Sequence, residues 1–481
     1  MTINDFLTIL PAVVLVCWAT VLLVVDLWIP KNRKGITALL AASGMALAII
    51  FCLTRGGTPA VSFHGSVVVD GFAVFLDVIF LVTGLGSIAL AYDYLKRMNI
   101  ERGEYYSLIM FATSGMILMT YANDLILIFL ALEFLSIPLY VLAGFAQGQL
   151  PSEEAALKYF LMGTFSSGFV LYGVALIFGA TAQTDLPGIA AAVTGGTANM
   201  VMFLVGAVLL LVGFCFKAGI VPFHMWAPDV YQGAPSPATA FMAVGAKAAG
   251  FAALMRVFTA VLPSLAEDIT PVLWGLAALT MIFGNLLALA QTNLKRLLAF
   301  SSITQAGYML MTFVPYGNSR VLNEAVAGML FFLAGYCLST LGAWAVVIAV
   351  EKMEGKGLEL ADYAGMGRKY PWLGAAMTVF MLSFIGVPPT LGFWGKFYLF
   401  RTAVDGGFTS LALIGLLTSL LSAYYYLRVV VYMYMRTGEP EARQDPWLNL
   451  TAVATAAAVV GISIFPGWLV DLAAKALIRL P

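Results

Sequence analysis

The sequence predicts an all-α polytopic membrane protein of about 14 transmembrane helices, and three observations lead there. Hydrophobic residues make up 61% and charged residues 10% of the 481 residues, whereas a soluble domain carries roughly 25% charged residues. The apolar residues fall in runs near the 20 or so needed to cross a hydrocarbon core of about 30 Å. The connections are short; the longest polar stretch is 351–369, and no soluble domain fits between the runs.

Fourteen segments are read in order. The first, 5–29, has no basic stretch ahead of it and carries Asp5, so it is expected to be a retained helix and not a cleaved signal peptide. Pro30-Lys31-Asn32-Arg33-Lys34 ends it. Segments 36–53 and 71–94 follow, then 104–121, 123–147, 155–180, 199–231 and 236–262. The remainder are 271–291, 296–314, 322–350, 370–404, 408–436 and 447–472. Loops after odd-numbered segments hold fourteen Lys and Arg: Lys31, Arg33, Lys34, Lys96, Arg97, Arg102, Lys295, Arg296, Lys352, Lys356, Arg368, Lys369, Arg436 and Arg443. Those on the other side hold five: Arg55, Arg320, Arg401, Lys475 and Arg479. Cytoplasmic loops carry the cationic excess, so the odd-numbered loops are expected inside and both termini outside.

Several function classes drop out. Net charge is zero, leaving no basic excess to hold a nucleic acid. Cys17, Cys52, Cys215 and Cys337 lie far apart with no CxxC, which gives no zinc or iron–sulfur framework. Only two histidines occur, His64 in a loop and His224, so a helix-borne haem pair is not expected. Gly84-Leu85-Gly86-Ser87-Ile88-Ala89 matches GxGxxA but sits inside an apolar run, without the strand a dinucleotide site needs. No Walker A motif is present, nor a nucleophile–base arrangement. The tyrosines Tyr424-Tyr425-Tyr426, Tyr432 and Tyr434 read as packing or interface anchors.

Two segments have the wrong length. The runs 199–231 and 370–404 are long for one span and too short for two. Each has proline near its middle: Pro222 in one, Pro388 and Pro389 in the other. Proline removes a backbone donor and clashes with the preceding turn. A break inside a membrane is tolerated only where the freed backbone packs in protein or lines a wet cavity. Paired broken helices point to a transporter site; the plainer reading is two kinked helices.

Charges sit where they are costly. Lys158, Lys217, Lys247, Arg256, Lys396 and Arg428 fall inside or at the edge of segments, and Glu133 is a central acid, nine residues after Asp124. A mid-bilayer charge costs roughly 2.5–3.5 kcal/mol on insertion scales. Lys247 lies near the centre of 236–262 and cannot easily snorkel. Lys217 precedes the first break and Lys396 follows the second. A lysine whose proton affinity follows its surroundings is a switch that an always-charged arginine is not. Each also has a bland reading: Lys217 and Lys396 as snorkelling or interface residues, Lys158 as an edge residue beside Glu153 and Glu154, Glu133 as a static partner. Arg256 and Arg428 read as structural. His224 is a loop residue or a relay. Asp77 could face the bundle interior, with nothing nearby in sequence to give it a role.

The stretch Phe216-Lys217-Ala218-Gly219-Ile220-Val221-Pro222-Phe223-His224-Met225-Trp226-Ala227-Pro228-Asp229-Val230-Tyr231-Gln232-Gly233-Ala234-Pro235 resembles the broken-helix signature of the antiporter-like subunits of respiratory complex I, in the subunit N branch of bacterial NADH:quinone oxidoreductases. Leu157-Lys158-Tyr159-Phe160-Leu161, Asn293-Leu294-Lys295-Arg296-Leu297-Leu298-Ala299-Phe300-Ser301-Ser302-Ile303 and Leu391-Gly392-Phe393-Trp394-Gly395-Lys396-Phe397 agree with it. The resemblance covers essentially the whole chain. Nine residues follow the last segment, a poor match to the paralogue with a long lateral helix.

The resemblance implies two inverted five-helix repeats, each with a broken helix. The implied organisation is 1–103 (three N-terminal helices), 104–262 (first repeat), 271–436 (second repeat) and 447–481 (C-terminal helix and short tail). Direct internal similarity is weak. The family pattern pairs Glu133 with Lys217, continues through Lys247 and ends at Lys396, with Lys158 and His224 matching further positions. It implies a proton-translocating, non-redox subunit of the NADH:quinone oxidoreductase in a bacterial cytoplasmic (inner) membrane. No cofactor is expected on this chain; NADH, FMN, iron–sulfur clusters and quinone belong to partner subunits. Expected partners are the other membrane subunits, paralogous antiporter-like subunits among them, and the lipid bilayer. A subunit of a multisubunit cation/proton antiporter, a subunit of a ferredoxin-linked relative of complex I and a plain membrane anchor stay open.

Overall fold

The computed structural model describes residues 3–30, 33–54, 59–261 and 266–478. Lys31, Arg55 and Arg479 of the cation count lie outside the described residues.

Helix α1 (Ile3–Thr8) leads into α2 (Leu10–Asp26) and α3 (Gly35–Thr54). A small antiparallel hairpin follows, β1 (Ala60–Ser62) against β2 (Val67–Val69), in the loop of an otherwise helical chain. Valine at 67, 68 and 69 suits a strand, and the three are buried. Next come α4 (Gly71–Arg97), α5 (Glu104–Tyr121), α6 (Leu125–Ala143), α7 (Leu150–Thr181) and the short α8 (Leu186–Thr194). The first long run is two helices, α9 (Met200–Ala218) and α10 (Trp226–Gly233). Then α11 (Ser236–Phe241) joins α12 (Lys247–Val261) through a π-helical turn at Met242–Ala246. After them stand α13 (Ala266–Leu289), α14 (Leu294–Phe313), α15 (Ser319–Val350) and the short α16 (Met366–Lys369). The second long run is α17 (Pro371–Ile385) and α18 (Leu391–Asp405). The chain closes with α19 (Thr409–Met435), α20 (Pro446–Ile464) and α21 (Gly467–Lys475). The single run expected over 447–472 is therefore two helices, divided at Phe465-Pro466, where proline cannot continue the ladder.

Each of the other segments is occupied by a helix or a split pair. Among the described residues, ten helices are long and apolar enough to cross a membrane. Their starts follow from sequence. Asp70, Asp124, Asp185, Asn199, Asn293, Asn318 and Asp445 each accept a hydrogen bond from a first-turn amide, the usual work of Asp and Asn at an N-cap. Leu130, Phe165 and Leu420 are exposed on helix faces, as lipid as solvent allows and water would not. The span Ser236–Val261, by contrast, is wholly buried within the bundle. A lysine at its middle has no lipid headgroup to reach.

Candidate proton pathway

Both breaks rest on a glycine. Gly219 ends α9 at φ 73° and Gly386 ends α17 at φ 92°, the left-handed region that costs other residues roughly 1–2 kcal/mol. The amides that follow turn back onto the helix: Ile220 N–H donates to Cys215 O at 2.9 Å and Val387 N–H to Leu382 O at 3.0 Å. These bonds satisfy carbonyls that a helix end leaves open. Cis peptide bonds precede Pro222 and Pro389. Other freed groups find partners across the bundle. Val221 N–H donates to Thr280 Oγ1 on α13 at 3.1 Å, and Trp226 Nε1 donates to Phe216 O at 2.9 Å.

At the first break Lys217 is 3% exposed. Its Nζ donates to Ser136 Oγ on α6 at 2.7 Å and lies 3.4 Å from Tyr159 Oη on α7. The rings of Tyr159 and Tyr140 stand 5.4 and 5.9 Å from it, within cation–π range. Glu133 is half-buried and accepts from Ser167 Oγ. It makes no ion pair with Lys217; Ser136, one turn along α6, stands on the lysine in its place. The pairing expected between Glu133 and Lys217 is thus not a direct ion pair, and Ser136 Oγ itself donates to Leu132 O.

Lys247 is equally buried, at 3%. It follows the π-helical turn, a distortion that recurs at functional sites in membrane and soluble helices alike. Its Nζ donates to the carbonyl of Ser302 on α14, and it lies 4.0 Å from where a Cβ on Gly219 would stand. The side chain therefore reaches from the first break to α14.

Polar side chains run along α14 from there. Ser301, Gln305 and Tyr308 stand at helical spacing on one stripe. Ser301 Oγ is 2.5 Å from Tyr426 Oη, and Gln305 Nε2 donates to Phe384 O at 3.2 Å and to Tyr426 Oη at 3.3 Å. Tyr308 donates to Thr418 at 3.4 Å, and its ring lies 4.5 Å from Lys396 Nζ. Lys396 is 4% exposed. It donates to Ile385 O at 3.0 Å, a carbonyl freed by the second break, and to Ser419 Oγ at 2.8 Å.

The other candidates sit apart from this line. Lys158 has a half-exposed side chain bonded to Glu154 at 2.6 Å and Asp229 at 2.8 Å. Asp229 also takes Arg296 at 2.8 Å. Lys158 is therefore an edge cation in a charged network, one residue from Tyr159 of the line. His224 lies in the turn after Pro222, half-buried, its Nδ1 without a hydrogen-bond partner among the described residues. Pro222, Pro388 and Pro389 are exposed. Arg256 pairs with Asp70 at 3.0 Å with neither side chain exposed. Arg428 donates to the carbonyls of Leu289 and Gln291 at the end of α13. Both have fixed partners on neighbouring elements.

Residues 122–422 match the family model described as NADH:quinone oxidoreductase/Mrp antiporter, transmembrane. The chain belongs to that family. Among its relatives, the NADH-quinone oxidoreductase subunit N of Trichlorobacter lovleyi is 47% identical over 463 residues, 95% of this chain and 93% of the relative. The protein of that name from Chloroflexus aggregans is 46% identical over 484 residues, 99% of this chain and 98% of the relative. A chain of respiratory complex I from Thermus thermophilus superimposes with a TM-score of 0.82 at 36% identity, covering 96% of this chain and 99% of that one. A chain of the Mrp complex from Dietzia gives 0.87 at 19% identity over 99% of this chain and 97% of that one, a likeness of fold alone.

Within this antiporter-like fold, sequence reading left several site groups unnamed. Ser136, Ser167 and Ser419 are small hydroxyls in apolar helices, which carry no signal by themselves. The stripe Ser301, Gln305, Tyr308 was readable as polar residues four and seven apart. Lys295, counted as a loop cation, is buried, bonded to Ala234 O at 2.8 Å and 3.7 Å from Glu351.

Proposed function

We propose that this chain is a proton-translocating, non-redox membrane subunit of a bacterial NADH:quinone oxidoreductase. One observation carries the reading: three lysines, each at most 4% exposed, stand in one polar line through two helix breaks. The subunit N relatives at 46–47% identity favour the oxidoreductase over the stand-alone antiporter. The redox groups, NADH, FMN, iron–sulfur clusters and quinone, belong to partner subunits, with paralogous antiporter-like chains among the neighbours. The membrane is the cytoplasmic one, with both termini on the outer face.

The residues act by electrostatics. A carboxylate brought toward an ammonium stabilises its charged form, and withdrawing it favours release of the proton. Glu133, held by Ser167, is the movable charge; Lys217, held by Ser136, responds. The proton then passes to Lys247 and along the α14 stripe to Lys396. His224 and Lys158 flank the first step.

The repeats are 104–262 and 271–436, between three N-terminal helices in 1–103 and a C-terminal unit in 447–481. Matching features support them. Helices α7 and α15 are both 32 residues. The caps Asp124 and Asn293 pair with Asp185 and Glu359 in single β-bridges. Glu133 stands nine residues after the first cap, and Ser302 nine after the second.

The test is native separation of the tagged chain in mild detergent with an assay for NADH-dependent quinone reduction. Co-migration with that activity is expected. An intact assembly without NADH activity would overturn the reading in favour of an antiporter or a ferredoxin-linked complex.

A further inference from the structure

We propose that the groove between α3, α4, α15 and α20 is a site for an anionic phospholipid, which lays an acyl chain in the groove and sets its phosphate between Lys96 and Arg443. The groove shares no residue with the line of lysines. The orientation proposed above makes its leaflet the cytoplasmic one.

The groove holds about 340 Å³, with Ala42 of α3, Gly86 and Ala89 of α4, Leu341 of α15 and Thr451 of α20 in its lining. Gly86 and Ala89 are the second glycine and the alanine of the GxGxxA stretch. Their small size leaves the floor open: a Cβ on Gly86 would already stand 3.0 Å from Leu341 Cδ1. The wall offers no free polar group for a polar ligand. Thr451 and Thr455 spend their hydroxyls within α20, on Trp447 O at 2.8 Å and Thr451 O at 2.6 Å.

Its depth is that of one leaflet. On α4 the lining runs from Val82 to Tyr92, about 15 Å at 1.5 Å per residue and half of a hydrocarbon core of about 30 Å. At its inner end the helices close. Thr83 Oγ1 lies 3.3 Å from Cys337 Sγ on α15, and a Cβ on Gly84 would stand 2.8 Å from Met45 Cε on α3. Spread over that length, the volume makes a channel about 5 Å across, which suits a chain of single carbons in van der Waals contact and is half the width of a helix.

The mouth carries the charge. The rings of Tyr92 and Trp447 meet there at 6.4 Å, edge to face, as amphipathic rings do at headgroup level. The α4 stripe of Leu85, Ala89 and Tyr92 continues at helical spacing to Lys96, which is exposed. Arg443, four residues before Trp447, is anchored by its backbone N–H on Ala349 O at 2.7 Å. Its side chain is mostly exposed, 3.7 Å from Asp93, the neighbour of Tyr92. Asp93 is also 3.7 Å from Arg97, so one carboxylate faces two guanidinium groups. Lys34 is taken by Asp26 at 2.6 Å, and Asp445 by the first-turn amides of α20. A positive excess therefore remains over an apolar channel, the pairing that holds anionic headgroups between helices at this face.

The test uses the tagged chain in its native assembly and does not depend on proton movement. The probe is phosphatidylglycerol with a photoactivatable diazirine in its acyl chain, and mass spectrometry locates the cross-links. Labelling is expected within 85–92 and 450–455, and unlabelled phosphatidylglycerol should compete about tenfold better than phosphatidylcholine. Arg443→Gln and Lys96→Gln should each weaken the labelling about fivefold, the share of one cation near an anionic headgroup. Ala454→Phe, which fills the groove from α20, should abolish it while the charges stay. Groove labelling that phosphatidylcholine suppresses equally, and that survives both charge variants, would overturn the proposal in favour of unselective bilayer lipid. Cross-links from the groove to another subunit in place of lipid would overturn it in favour of a partner helix. Should Ala454→Phe fail to assemble, the two charge variants at the membrane surface decide the matter.

Discussion

At the first break the lysine stands two residues before the left-handed glycine, and at the second it stands ten residues after it. The backbone device is otherwise shared: a Gly in the left-handed region, an amide folded back by five residues, and a proline beyond. The electrostatics differ. Lys217 faces α6, which also carries Glu133 one turn from its hydroxyl partner. Lys396 meets a backbone carbonyl, a serine and a tyrosine ring, all neutral. A carboxylate can be moved and so can switch its lysine; fixed neutral dipoles only hold one. On the proposed reading, the first half switches and the second receives.

Removing either lysine should have the largest effect. Lys217→Ala and Lys396→Ala in the assembled complex are each expected to lower NADH-driven proton uptake about tenfold or more, measured in reconstituted vesicles. The carboxylate comes next. Glu133→Gln should slow proton uptake severalfold, and Ser419→Ala at the second break should slow it less; equal effects would erase the distinction between the halves. The glycines sharpen it on the stability side. Gly219→Ala would meet only Lys247 Nζ, at 4.0 Å, and should cost about 1 kcal/mol of backbone strain. Gly386→Ala should cost more, because its Cβ would stand 3.0 Å from Lys396 Cδ; thermal unfolding of the purified complex checks the order. The smallest effect is expected from Arg401→Ala. It sits on the same α18 as Lys396 but is half exposed, 3.2 Å from Asp405. Exposed pairs contribute little, so proton uptake should be unchanged.

The spans were legible because lipid demands one composition over about 20 residues, and the breaks because 199–231 and 370–404 have lengths no single helix explains. The division at Pro466 was missed, since an apolar run does not reveal a bend within it. The hairpin at 60–69 is too short to leave a pattern. Burial of Lys247 could be read from its position, and the structure places it in a span buried throughout. Contacts made across helices could not be read. Ser136 against Lys217, the union of Lys158, Asp229 and Arg296, and the burial of Lys295 beside Glu351 each depend on residues tens of positions apart. Asp77 shows the same limit: an acid in an apolar run, it is buried and meets its partners, Thr120 and Tyr121, on the next helix.

The most direct test of the central claim is Lys217→Arg in the assembled complex, followed by NADH-driven proton uptake into vesicles. Arginine keeps the positive charge for Glu133 but does not give up its proton. The account predicts that uptake falls as far as with Lys217→Ala. Full uptake with arginine would contradict it, because a fixed charge at position 217 would then suffice.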